Sequence, residues 1–328
     1  MNTLLTPRQK TPTFFAICAA LLALGPARAW AGFANNDVGT SGAQFLKLGA
    51  GARGESMGEA YIAVVDQADA IYWNPAALSR IEKHSATFMH ESLPAGINYD
   101  FLGYGQKLAS WGALGGSLQY LSQPGIEQTD ASGLATGGTF RPHDFAASVG
   151  GAYTIQSEEA GIFNGSSLGV AAKYIESAVT KSVAAGAADL GFLSAPFRVL
   201  DRDMRIAYVA QNLGGNMKFQ QFSDSLPASS RLGASWALSK AWLLAAGFNE
   251  PLDNAPYFSV GTEYVLALDE ESFAGRLGWD SRAMGDAGNW SGATFGFGAK
   301  LRRVGLDYAL APLGSLGMTH YISVSFWF

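Results

Sequence analysis

Reading back from Phe328, every second residue is apolar: Phe328, Phe326, Val324 and Ile322, with Trp327, Ser325, Ser323 and Tyr321 between them. A two-residue period sends alternate side chains to opposite faces, so this stretch predicts a strand with one apolar face. The pattern recurs upstream. Val304, Leu306, Tyr308 and Leu310 oppose Gly305, Asp307 and Ala309. Phe258, Val260, Thr262 and Tyr264 oppose Ser259, Gly261 and Glu263. Phe145 to Ile155 is the longest such run. The alternation predicts fourteen strands, near 85–91, 97–107, 112–121, 143–156, 166–177, 186–195, 204–212, 229–238, 241–249, 256–266, 272–281, 291–301, 303–311 and 318–328. Many approach the ~9–11 residues that cross a bilayer obliquely, and their number is even, as in bacterial barrels. Short links at 238–241 and 301–303 read as periplasmic turns; longer ones at 122–142, 213–228 and 282–290 read as extracellular loops.

Residues 40–80 break the alternation and read as helix and loop. Asn74-Pro75 is a helix start, with Asn as N-cap and Pro at the first helical position, and predicts a short helix to about Ser79. A segment of mixed small and charged residues ahead of a barrel can fold back into the lumen as a plug. The expected organisation is a plug over 32–82 and a barrel over 83–328.

Composition narrows the class. The chain has 328 residues, 48% hydrophobic and 15% charged, with 40 glycines and a formal charge of −5. The lack of a Gly-X-Y period excludes collagen, the apolar content excludes disorder, and the acidic balance excludes a basic nucleic-acid binder. Arg8 and Lys10 precede an apolar run from Phe14 to Leu24, then Gly25-Pro26 and small residues that fit cleavage after Ala29 or Ala31. That is the pattern of a secretory signal peptide over 1–31. Its loss removes Cys18, the single cysteine, and three of the 22 basic residues, leaving 19 against 27 acidic ones. No later apolar run reaches the ~18 residues of a membrane helix. A chain this poor in charge and rich in alternating strands fits an all-β transmembrane barrel in the outer membrane of a Gram-negative bacterium.

Several blocks resemble a known family. Phe45-Leu46-Lys47-Leu48-Gly49, Gly51-Ala52-Arg53, Met57-Gly58-Glu59-Ala60, Asp66 and Trp73-Asn74-Pro75-Ala76 resemble the opening of PorV/PorQ proteins. Asn212-Leu213-Gly214, Arg231-Leu232-Gly233, Gly261-Thr262-Glu263-Tyr264 and Leu306-Asp307-Tyr308-Ala309 fit the same family in order and spacing. So does Leu313 to His320 leading into the final strand. The Asn-Pro-Ala block also resembles the plug of FadL-type transporters, a related fourteen-stranded architecture. Ala77 is a departure, since these families usually have Gly after Asn-Pro-Ala. The resemblance implies an outer-membrane barrel with an N-terminal plug, whose plug motif is Arg53, Met57, Gly58, Asp66, Asn74 and Pro75. It further implies an accessory of type IX-like secretion, with secretion components or exported surface proteins as partners. The alternative is FadL-like transport of a hydrophobic small molecule, past Phe45, Leu48, Met57, Tyr61 and Trp73.

Chemistry-bearing motifs are sparse. Gly49 to Gly54 formally matches G-x-G-x-x-G but lacks the βαβ setting of a dinucleotide site. No G-x-S-x-G or H-E-x-x-H occurs, and His84, His90, His143 and His320 are dispersed. The expectation is a protein that is not an enzyme and needs no cofactor or metal. Strand charges on the inward parity, including Lys173, Arg231, Glu263, Arg276, Lys300 and Asp307, predict lumen ion pairs. Glu263 or Asp307 should meet Arg276, Lys300 or a plug residue. Trp111, Tyr120, Trp236, Trp242, Trp279, Trp290 and Trp327 sit near strand ends, as interfacial girdles do. Tyr321, Ile322, Val324, Phe326 and Phe328 resemble the terminal signal read by the barrel insertion machinery. Outer-membrane lipid and that machinery are the expected partners, and nucleic acid is not.

Overall fold

A computed structural model describes residues 39–219, 222–283, 292–313 and 316–328. The leader and its cleavage sites, and Trp290, lie outside the described residues. Fourteen strands form one closed antiparallel barrel. They are β1 (His84–Ser92), β2 (Asn98–Ala109), β3 (Gly112–Ser122), β4 (His143–Thr154), β5 (Ser167–Ala178), β6 (Ser182–Leu193) and β7 (Arg202–Gly214). The second half comprises β8 (Ser229–Ala237), β9 (Trp242–Pro251), β10 (Tyr257–Leu268), β11 (Glu271–Asp280), β12 (Ala293–Leu301), β13 (Val304–Pro312) and β14 (Met318–Trp327). Each pairs with its sequence neighbour, and β14 closes on β1 from Ser85↔Trp327 to Ser92↔His320. Closure leaves no sheet edge, which is the condition for spanning a bilayer with strands.

The period of two sorts the wall. On β14, Ile322 is 52% exposed and Phe326 44%, whereas Ser323 and Ser325 are buried. Links at one end are short, as at 110–111, 269–270 and 302–303. The opposite end carries the hairpin Ile126–Thr129 with Ala135–Phe140, and a second of Asn216–Phe219 with Phe222–Ser225. Three links break the trend. The short-turn end holds a 3₁₀ turn at Glu158–Phe163 and a longer link over 194–201, and the hairpin end joins β5 to β6 through only 179–181.

Residues 43–81 fill the lumen and are called the plug below. They form 3₁₀ turns at Gln44–Lys47 and Pro75–Arg80 and α-helical turns at Ala52–Glu55 and Ala70–Trp73. The Asn74 side chain accepts from the Ala76 amide (3.0 Å), so the Asn-Pro pair does start a helical turn, of 3₁₀ type. Tyr61, Ile71, Trp73 and Leu78 are fully buried against wall residues Met89, Tyr99, Phe101 and Ile175. Trp73 meets Tyr61 and Tyr72 edge to face, at 5.6 and 5.1 Å.

Glycine explains how so much chain fits. A Cβ on Gly105, Gly169, Gly191, Gly278 or Gly296 would fall inside Ile81, Ala76, Asn74, Gly58 or Ser56 respectively, and one on Gly261 would sit 2.5 Å from the Met57 carbonyl oxygen. All six lie on the wall's inner face: plug backbone runs against Gly169, Gly261 and Gly278, and plug side chains fill the space at Gly105, Gly191 and Gly296. Gly58 has φ +62 as well, and a side chain there would strike the Trp279 backbone at 2.6 Å. Only glycine meets both demands without strain.

Candidate functional site

The plug is held by buried charge. Arg53, on the Ala52–Glu55 turn, donates through Nε and Nη2 to Glu263 (2.8 Å each) and through Nη1 to Asp66 (2.7 Å). Glu263 on β10 faces its register partner Arg276 on β11, whose Nε also donates to it (2.6 Å). Arg276 Nη1 continues to Asp307 on β13 (2.6 Å), and Arg80 lies 3.7 Å from Asp66. Three arginines and three carboxylates thus alternate in one chain across plug and wall, from Arg80 to Asp307. Burial by itself would raise Asp66, but Arg53 and then Arg80 outweigh it and hold Asp66 below the ordinary carboxylate range.

A second contact set lies toward the hairpin end. Glu59 accepts from Arg282 Nη2 (2.6 Å) and the Tyr257 hydroxyl (3.0 Å), and Arg231 Nη1 stands 3.7 Å away. Arg231 is buried, yet its Nε and Nη1 have no hydrogen-bond partner. Arg231 lines a cavity of about 70 Å³ together with Lys47, Asn212, Asn249 and Tyr257 among others. That volume is about two waters. Higher still, Lys47 Nζ bonds both Asp253 oxygens (2.6 Å each), and Ser41 and Gln44 donate to the same carboxylate.

These pairs share one side of the barrel. Among the described residues, the plug–wall ion pairs fall on β8, on β10 and on the links after β9 and β11. Against β2–β6 the plug lays Leu78, Ile81, Pro75 and Ala76 on glycine. Its polar ties there include no ion pair: Asn74 Nδ2 donates to the Phe192 carbonyl (3.2 Å), and the Lys107 ammonium on β2 donates to the Ser79 carbonyl (2.6 Å).

The plug also buries carboxyls with no cation bonded to them. Burial raises Asp69 to about 8, and its Oδ1 has no partner. Burial, then the nearby Glu59 and Glu91, push Glu55 well above the ordinary range. Asp69 is therefore protonated near neutrality, as an unpaired buried carboxyl requires.

The other charges singled out by sequence take different places. Lys173 braces the wall alone, bonding Asp189 and Asn212 (2.7 Å each) at the bulge in β7 where Asn212 has φ +55. Lys300 is on the inner parity but exposed at the short-turn mouth, its Nζ 4.4 Å from the Trp327 ring centre. Trp327 was expected in the interfacial girdle; it shares the inner face of Ser323 and Ser325 and lines that mouth, because the strand's parity overrides its terminal position. Trp111, Tyr120 and Trp242 are exposed outside. Phe45, Met57, Tyr61 and Trp73 are buried in a shared core with partly buried Leu48 packed on it. Gly51, at φ +86, turns the chain beneath Asp69. Sequence reasoning missed Asp253 and Arg282, which sit in links rather than strands.

The short-turn mouth opens into a cavity of about 620 Å³, lined by Arg53, Arg80, Arg276 and Lys300 among others. Among the described residues no group of three His, Cys, Asp or Glu is placed to hold a metal ion. No helix among them is long and apolar enough to cross a membrane.

No family model and no curated protein matches the chain. Solved structures do. The Pseudomonas putida toluene transporter TodX superposes with a TM-score of 0.55 at 13% identity, over 84% of this chain and 96% of that one. The monoaromatic hydrocarbon channel CymD gives 0.55 at 12%, over 85% and 98%. A Pseudomonas aeruginosa FadL homologue gives 0.48 at 9%, over 85% and 98%. At such identities the likeness is one of fold, and the fold is a closed fourteen-stranded antiparallel barrel like that of TodX and CymD.

Proposed function

We propose that this protein lies in the outer membrane of a Gram-negative bacterium and carries a hydrophobic small molecule across it. The observation that carries the reading is a lumen closed by an apolar, aromatic plug whose ion pairs with the wall, among the described residues, all fall on one side. Such a lumen is no water-filled pore. The seam between the plug and β2–β6, built of aliphatic side chains on glycine, breaks no ion pair when it yields. An apolar solute suits that seam, and a charged one does not. The fold shared with barrels described as toluene and monoaromatic hydrocarbon channels points the same way.

The test is uptake. A host lacking its own hydrocarbon channel, expressing this chain, should take up radiolabelled toluene from micromolar solution several-fold faster than the vector control. Equal rates would sink the reading.

The two hairpins favour a second reading, the secretion accessory that the PorV/PorQ resemblance implies. The first exposes Ile126 and Leu134, while the second seats Met217 in the buried core and accepts the Gly42 amide at the Ser225 carbonyl. An exported protein or a secretion component would bind there. In vivo crosslinking, then mild-detergent purification and mass spectrometry, separates the two: recovery of such proteins supports this reading, and recovery of none removes it. Under either reading, Ile322, Phe326 and Phe328 on the outer face of the last strand meet the insertion machinery and then outer-membrane lipid, with Tyr321 and Val324 completing the signal.

A further inference from the structure

The cavity at the short-turn end carries a charge excess that the clamp does not use. Its side chains include seven Lys or Arg and four Asp or Glu, in a chain with 22 basic and 27 acidic residues. Asp66, Glu263 and Asp307 are taken by Arg53, Arg80 and Arg276. Arg302 pairs away from the cavity with Glu270 (3.0 Å). Lys83, Lys300 and Arg303 remain against Glu82, and none of these four has an ion-pair partner within 4.0 Å among the described residues.

The three free cations lie along one stretch of rim. The His84 amide donates to the Phe328 carbonyl (3.1 Å), which sets Lys83 beside the end of β14. The Trp327 amide donates to the Arg303 carbonyl (2.9 Å), and Lys300 lies over the Trp327 ring. The ring in turn lies against Gly305, where a Cβ would be 2.7 Å from it. The result is a flat aromatic floor with two lysines and an arginine around it and no carboxylate bonded to any of them.

We propose that this mouth binds a phosphate-type oxyanion, held by Lys300 and Arg303 with Lys83 as a third contact. Arginine offers a fork of donors to such a group and lysine a compact charge, and an oxyanion would supply the acceptors the three cations lack. The chemistry has two sources. One is a phosphate compound arriving in solution. The other is the headgroup of a phospholipid in the adjoining leaflet, since these residues sit at strand ends. The inference does not rest on the transport reading.

The experiment uses the full chain purified in a neutral detergent. Pyrophosphate binding is measured by calorimetry at low salt, and retention of dioleoyl-phosphatidylglycerol against dioleoyl-phosphatidylcholine by native mass spectrometry. The variant is K300Q/R303Q. The control, K240Q/R202Q, removes the same charge from exposed positions at the same end but outside the cavity. Heat-modifiable gel migration verifies that both fold. Pyrophosphate affinity falling about tenfold in K300Q/R303Q and less than about twofold in the control supports a soluble ligand. Loss of phosphatidylglycerol retention in K300Q/R303Q alone, without pyrophosphate binding, supports the lipid source. If neither probe separates K300Q/R303Q from the control, the proposal is overturned.

Discussion

Replacing Glu263 with Gln tests the clamp most directly. The carboxylate is 5% exposed and accepts two bonds from Arg53 and one from Arg276. Gln keeps the shape and removes the charge. Arg53 retains Asp66 and Arg276 retains Asp307, so neither cation is wholly stranded, but each loses its shared partner. Breaking a buried pair by removing one member costs about 3–5 kcal/mol. The retained partners place E263Q at the low end, about 3 kcal/mol, which is about a hundredfold in a local opening equilibrium. The wall has its own ladder of backbone bonds, so the loss should appear in the plug. Amide exchange over residues 52–66 should accelerate about a hundredfold in E263Q while exchange in β2–β6 stays within about threefold. Asp66→Asn is the graded comparison: Asp66 is 36% exposed, so solvent screening makes its loss smaller. Uniform acceleration of plug and wall, or none in either, refutes the argument that this network fixes the plug.

Three further outcomes follow from the packing and the buried charge. Gly58→Ala should lower the heat-modification midpoint markedly or prevent a protease-resistant plug, because φ +62 and the Trp279 backbone both oppose a Cβ; Gly275→Ala, with nothing within 4 Å, should leave the midpoint unchanged. Asp69 binds its proton more tightly folded than unfolded, so its contribution to stability is full below the ordinary carboxylate range and is lost as pH rises toward about 8. The slope is about 1.4 kcal/mol per pH unit across that window, and midpoints at pH 5 and 8 should show Asp69→Asn gaining on the wild type as pH rises. Lys173→Met strands the fully buried Asp189 and should cost about 3–5 kcal/mol at the β7 bulge, read as faster exchange in β5–β7 with the plug unaffected.

The barrel was legible because lipid imposes its own code on the strands. Ile322 and Phe326 must face hydrocarbon while Ser323 and Ser325 must not, and that alternation is written locally. The inner charges were legible for the same reason: Glu263 and Arg276 share a face and a register. What the plug touches was not. Arg53 meets Glu263 across 210 positions, and Glu59 meets Arg282 across 223. No local period encodes such a pairing, and Arg282 and Asp253 lie in links where parity says nothing. The overlooked signal was glycine on the inward parity, at Gly261 and Gly278 among others, which marks where a second layer of backbone passes. Trp327 misled because position along a strand and parity across it gave opposite answers.

The seam between β1 and β14 carries a consequence for biogenesis. The plug ends at Ile81, and β1 begins at His84, so only Glu82 and Lys83 separate the inserted segment from the strand that closes the ring. One edge of β1 stays unpaired until residues 318–327 have been made and delivered, the longest wait any pairing in this chain imposes. During that wait the open edge and the plug are neighbours on a two-residue tether.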